Sequence, residues 1–320
     1  MRTFLIDTDT ASDDAVAIMM ALSAPDVRVC GLTTVAGNVG LEQATRNALY
    51  TAEVCGADVP VFEGAAAPLL RAHEDAHWFH GKDGLSDRNY PEARRKPESE
   101  HAVDAIVRLC REEPGLTLVT LGPLTNVALA LARDPTLAGK VGRCVVMGGA
   151  PCCEGNVTPA AEYNIWVDPE AARMVFRSAL PIEMVGWQVS RGESVLTEEE
   201  IAAILALDTP KARFAIECNG RAKEAYFTQT GESGLSLADP TAMAVALDRA
   251  IGTAWSRHLL EIECASELTR GMTIVDRLNV THDVNNASAW KRALDAGVKT
   301  DICWTIDAAR FKTGMIEALK

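Results

Sequence analysis

Short apolar runs alternate with helical patterns from the N-terminus to about residue 186, and this alternation limits the fold more than any other feature. Thr3–Ile6, Val27–Val35, Val59–Phe62, Leu116–Leu121, Arg143–Met147 and Ile182–Gly186 read as strands. Asp14–Leu22, Leu41–Cys55, His101–Arg111, Pro123–Arg133 and Pro169–Ser178 read as helices between them. Strand–helix–strand repetition specifies an α/β fold: an open, mostly parallel central sheet with helices on both faces, a Rossmann-like core. Asp14–Leu22 is almost wholly apolar after its first residue, so this helix should be buried on more than one side. Beyond about Leu196 the pattern loosens into helices and charged loops. With no repeat or clear linker, the expectation is a single domain over residues 1–320.

Sheets of this kind bind ligands in the crevice outside the carboxyl ends of their strands, so the residues just after each strand carry the site. The first strand runs straight into Asp7-Thr8-Asp9-Thr10-Ala11-Ser12-Asp13-Asp14. One or two acids would be ordinary helix capping. Four carboxylates beside an apolar strand and an apolar helix repel one another unless protons or a cation intervene. Oxygen ligands without His or Cys favour calcium or magnesium, and the segment lacks the glycine and closing glutamate of an EF-hand loop. A sugar site is the other reading, since Asp and Asn pair well with vicinal hydroxyls.

Other strand ends add polar groups. Asn38 follows Gly37, the turn after Leu121 reads Gly122-Pro123-Leu124-Thr125-Asn126, and Met147-Gly148-Gly149-Ala150 exposes backbone. Asn156, Glu162 and Asn164 then cluster without helical spacing, as in a binding loop.

The balance of the chain excludes some partners. The net charge of −13 repels phosphate backbones, which argues against nucleic acid. No apolar run approaches the ~20 residues that span a bilayer. The segment from Met1 to Asp7 enters a strand without a signal-peptide pattern. Nine cysteines, an odd number without a CxxC pair, fit reduced thiols. The expectation is a cytoplasmic protein with no membrane partner.

In their order along the chain, the Asp7–Asp14 segment, Thr33–Asn38, Gly122–Asn126, Met147–Ala150, Gly155–Asn164 and Leu237-Ala238-Asp239-Pro240 resemble the inosine-uridine preferring nucleoside hydrolase family. The resemblance implies a calcium ion held by Asp9, Asp14, Asp239 and the Leu121 carbonyl. It implies that Asp9 is also the general base, that Asp13, Asn38, Glu162 and Asn164 hold ribose hydroxyls, and that Met147 and Asn156 line the ribose pocket. The implied reaction is hydrolysis of the N-glycosidic bond of a small-molecule ribonucleoside through an oxocarbenium-like transition state. A homodimer or homotetramer is implied as well.

The chain departs from the pattern at Ala238, where many members of the family carry His and others Trp, and at Ser12, which replaces a frequent His. His282-Asp283 lies beyond the matching segment and reads as a surface feature. Help for the departing base is therefore expected from His77-Trp78-Phe79-His80-Gly81, a Gly-containing loop in which His80 would hydrogen-bond or protonate the base and Trp78 would stack on it. Tyr226 falls where the family often has a tyrosine near the base, and Trp187, Gln188 and Arg191 are candidates for specificity. The alternatives are a hydrolase of an unusual N-riboside and a catalytically silent ribose- or nucleoside-binding protein.

Overall fold

The computed structural model describes residues 1–283, 285 and 287–320. β1 (Arg2–Thr8) leads into α1 (Ser12–Ser23), β2 (Val27–Thr34) into α2 (Leu41–Val54), and β3 (Val61–Glu63) into the single turn α3 (His77–His80) and then α4 (Ala102–Glu112). β4 (Thr117–Thr120) precedes α5 (Thr125–Arg133), and β5 (Arg143–Met147) precedes α6 (Tyr163–Val167) and α7 (Pro169–Phe176). After β6 (Ile182–Val185) come α8 (Glu198–Leu205), α9 (Pro210–Glu217), α10 (Gly220–Thr230) and α11 (Ala238–Leu247). β7 (Gly252–His258), β8 (Leu260–Ile262), β9 (Thr273–Val275), α12 (Ala287–Ala296), β10 (Thr300–Ile306) and α13 (Ala308–Ala318) follow.

The central sheet is eight-stranded, in the order β3-β2-β1-β4-β5-β6-β10-β7. Every neighbouring pair is parallel except β7 with β10. β8 and β9 form a separate antiparallel pair. Strand residues alternate between the two faces. Phe4 and Ile6 join a core with α1, α2, α9, α11 and α13, while Leu5 and Leu118 join another with α4, α5 and α7. Ala15 through Ala21 of α1 are all buried, as are Asp239 through Ala246 of α11, and the two helices pack together. The strand order reverses between β1 and β4, which places a crevice at their carboxyl ends.

The expected strands all form, with ends shifted by a residue or two. The helix expected from Pro123 starts at Thr125, after Leu124 as its cap. Two strands of the main sheet, β7 and β10, went unanticipated in the C-terminal third. β7 is a half-exposed edge strand that alternates weakly, and the apolar run of β10 is only Ile302 to Trp304, between Asp301 and Thr305. The stretch from His77 to His80 is a helical turn instead of a loop. His282 and Asp283 are exposed, in keeping with a surface role. Among the described residues no helix is long and apolar enough to cross a membrane.

Candidate active site

A cavity opens at the crevice. It is lined by Asp13, Asn38, Trp78, His80, Leu121, Met147, Asn156, Glu162, Asn164, Tyr226 and Asp239, all named from the sequence. Asp9 and Asp14 are fully buried beside this lining. Residues from β1, β2, β4 and β5 ends, from α6 and from the starts of α1 and α11 thus converge on one place.

Asp9 sits in a cradle of glycines. A Cβ on Gly37 would stand 2.1 Å from its Oδ2, and one on Gly122 would stand 2.7 Å from its Oδ1. This close backbone approach is what glycine permits. The Asn38 N–H donates to Asp9 Oδ2 at 2.6 Å. Asp9 Oδ1 is buried and has no hydrogen-bond partner among the described residues. Burial, then the charge of Asp14, holds the Asp9 carboxyl well above the usual range.

Asp14 is fixed more fully. Thr8 Oγ1 donates to its Oδ1 at 2.6 Å, and the Ala11 N–H donates to its Oδ2 at 2.9 Å. Burial, then the Asp13 charge, raises its pKa to about 6. Asp239, in the first turn of α11, is likewise raised well above its ordinary value by burial and by Asp14. Oxygens of Asp13, Asp14 and Asp239 lie within 4.8 Å of one another. Such crowding is costly without a counter-charge. An unpartnered buried oxygen on Asp9 and an all-oxygen set of crowded carboxylates fit a hard divalent cation. The sequence assigned Asp13 to ribose, yet its carboxylate stands among these acids.

Glu162 caps α6. Its Oε1 accepts from the Asn164 N–H at 2.8 Å, and its Oε2 accepts from the Gly149 N–H at 2.7 Å. Burial nonetheless raises its pKa. Asn164 Nδ2 donates to the Leu121 carbonyl at 2.7 Å and reaches Met147 Sδ at 3.3 Å. Asn156 Oδ1 accepts from the Tyr163 N–H at 2.9 Å, so it braces the loop it belongs to.

The remaining lining is richer in aromatic and neutral groups: Phe79, Tyr163, Trp187, Ser190, Gln229, Ser236 and Ala238 join Trp78, His80 and Tyr226. Trp78 is 56% exposed at this lining, whereas Tyr226 is buried and donates to Glu232. Trp187 donates to the Glu154 carbonyl at 2.9 Å, and the Arg191 guanidinium lies 4.9 Å from its ring centre. Arg191 pairs with Glu154 and Glu232 behind this wall. Gln188 turns away and donates to the Cys303 carbonyl at 2.9 Å, outside the cavity. His80 is buried, and its Nδ1 lies 2.8 Å from Ser12 Oγ. Burial lowers its pKa, so the imidazole is neutral near pH 7. Ser190, Gln229 and Ser236 were missed in the sequence. Each is a single polar residue, Ser190 and Gln229 on helical turns and Ser236 in the connection before α11, with no neighbouring motif to mark it.

Comparison with known proteins agrees with this geometry. Residues 4–313 match the family described as inosine-uridine preferring nucleoside hydrolase. The chain is 38% identical over 304 residues to the non-specific ribonucleoside hydrolase RihC of Shigella boydii, covering 94% of this chain and 96% of that one. Its fold is similar to that of the plant nucleoside hydrolase PpNRh1, with a TM-score of 0.91, 32% identity and coverage of 99% and 98% of the two chains. It is also similar to the purine-preferring ribonucleoside hydrolase from Gardnerella vaginalis, with a TM-score of 0.88, 31% identity and the same coverage. The chain belongs to the inosine-uridine preferring nucleoside hydrolase family and is an enzyme of that class.

Proposed function

We propose that the enzyme hydrolyses the N-glycosidic bond of ribonucleosides with a calcium ion in the carboxylate cluster, giving ribose and free base. The observation that carries this reading is the meeting of Asp13, Asp14 and Asp239 within 4.8 Å at a cavity that also presents Asn38, Glu162 and Asn164. Asp9, Asp14, Asp239 and the Leu121 carbonyl would hold the ion, with Asp13 close by. Bound there, calcium supplies a grip on a vicinal diol and lowers the pKa of water. A site built mainly from protein carboxylates and a backbone carbonyl favours calcium over magnesium, which keeps several waters and binds through one or two carboxylates.

The chain's own groups divide the remaining work. Asp9 takes the proton from the attacking water through the oxygen that has no protein partner. Asp13, Asn38, Glu162 and Asn164 orient the ribose by its hydroxyls. As the base departs, positive charge spreads over the sugar ring, and the surrounding carboxylates stabilise it. Trp78 and Tyr226 provide surfaces for the base, and His80 is the group that can contact it by hydrogen bond.

Ala238 in the cavity wall supports a second reading, an N-riboside whose leaving group needs little help. A panel of inosine, uridine, adenosine, cytidine and p-nitrophenyl riboside, each with calcium and with chelator, tests both. Release of nucleobase from one or more nucleosides in calcium supports the main reading. Turnover of the nitrophenyl riboside alone favours the second. Tight nucleoside binding with no turnover of any substrate would identify a silent binding protein.

A further inference from the structure

Ser12 and His80 stand 68 residues apart in sequence, yet Ser12 Oγ and His80 Nδ1 lie 2.8 Å apart in a buried contact. Ser12 is fully buried at the first turn of α1 and faces His80 from beneath the cavity lining. Its backbone is pinned as well: Asn219 Nδ2 donates to the Ser12 carbonyl at 3.0 Å, and Cys218 Sγ approaches the same oxygen at 3.5 Å. His80 is held in turn by α3, where its N–H donates to the Ala76 carbonyl at 3.0 Å.

A hydroxyl carries one proton that must find an acceptor, and a buried donor left without one costs about 1–3 kcal/mol. Among the described residues, His80 Nδ1 is the single hydrogen-bond partner of Ser12 Oγ. The hydroxyl therefore donates, and Nδ1 must receive with its lone pair. In a neutral imidazole the proton then resides on Nε2. Burial outweighs the charge of nearby Asp13 and lowers the His80 pKa, in agreement with a neutral ring in this arrangement. Nε2 has no protein partner among the described residues, and it is absent from the fully enclosed unpartnered atoms, so it keeps access to the cavity that His80 lines.

We propose that Ser12 is a positioning residue that locks His80 as an Nε2–H donor toward a lone pair on the leaving base. This rests on the N-ribosyl hydrolase reading of the site. As the C–N bond breaks, its electron pair stays with the base, and the Nε2–H hydrogen bond stabilises that growing negative charge. No proton has to leave His80 for the charge to balance. The device would substitute in part for the side chain missing at Ala238, and it selects for leaving groups that present an acceptor to the cavity wall.

Two measurements on the full chain test this. The first is the imidazole ¹⁵N spectrum of histidine-labelled wild-type protein, with the His80 signal assigned by its loss in His80→Gln. A protonated Nε2 and an unprotonated Nδ1 are expected, and a protonated Nδ1 overturns the proposal whether or not the enzyme is active. The second compares uridine or inosine with p-nitrophenyl riboside, whose phenolate leaves without help. Ser12→Ala should lower kcat/KM about tenfold for the nucleoside and less than about twofold for the nitrophenyl riboside, with Ser12→Thr restoring the nucleoside rate. An equal loss on both substrates makes Ser12 merely structural, and no loss on either removes its role. If the wild type turns over neither substrate, the functional reading fails, while the spectrum still decides which nitrogen Ser12 leaves protonated.

Discussion

The two halves of the cavity lining are built in different ways. On the carboxylate side, donors and close backbone hold the acids individually: Thr8 and Ala11 fix Asp14, three backbone N–H groups converge on Glu162, and glycines enclose Asp9. On the aromatic side, Trp78 is more than half exposed, Tyr226 is secured through the Glu232 carboxylate, and a methyl group stands at Ala238. The first half resembles a core that happens to be charged, and the second resembles a surface that has been folded inward. A site so divided should treat the ribose strictly and the base permissively. Mutations on the carboxylate side should therefore harm all substrates alike, and those on the aromatic side should harm them selectively.

The largest effect that could break this division is removal of the ion. Chelation should abolish turnover of every substrate and lower the thermal midpoint, since calcium at a hundred times its Kd adds about 2.7 kcal/mol to the folded state. Persistent activity in metal-free protein would undo the carboxylate half of the argument. The sign of the pH dependence follows from Asp14. Its pKa rises from 3.8 to about 6 on folding without metal, so the folded chain binds the proton more tightly. Its contribution to stability is then lost as pH rises from about 4 through about 6, and calcium should remove that loss. Thermal scans at several pH values, with and without the ion, measure both.

Next in size, Asp9→Asn should lower kcat by about 10²–10⁴-fold on all substrates, including the nitrophenyl riboside. Gly37→Ala should strike the same group without changing its chemistry, because the added methyl would stand 2.1 Å from Asp9 Oδ2. A loss shared across substrates, smaller than that of Asp9→Asn, is expected from kcat measurements. On the aromatic side, His80→Gln should cost nucleosides about tenfold in kcat/KM and the nitrophenyl riboside much less. The smallest effect belongs to Trp78→Ala. Loss of a partly exposed stacking surface worth about 0.5–1.5 kcal/mol should raise KM by about two- to tenfold and leave kcat close to wild type. A substrate-independent loss from either aromatic-side variant would contradict the division.

The same division marks what was legible in the sequence. Asp7 to Asp14 announces itself because four acids fall within eight residues at the carboxyl end of a strand. Asn38, Leu121 and Met147 could be read because strand ends are where α/β sheets gather ligands. Asp239 needed the family resemblance, since one acid before a proline has no local signature. The Ser12–His80 contact was out of reach, because it depends on how α3 settles over the start of α1. Ser12 drew notice as a replacement for histidine, but its partner became visible only in three dimensions. In the fold, β10 escaped notice for a related reason: its apolar run from Ile302 to Trp304 is only three residues long and lies between polar residues.

That strand has a consequence for the order in which the chain can mature. β10 lies between β6 and β7, so the sheet places its eighth strand only by inserting residues 300–306 between two that precede them by many residues. During synthesis the edge of β6 stays bare after the whole carboxylate cluster has emerged, and bare strand edges invite pairing with other chains. The carboxylate cluster is therefore finished in sequence before the scaffold that supports it. A chaperone holding the nascent chain would have most to protect between Val185 and Thr300, the stretch that also carries the cavity residues Tyr226 and Asp239.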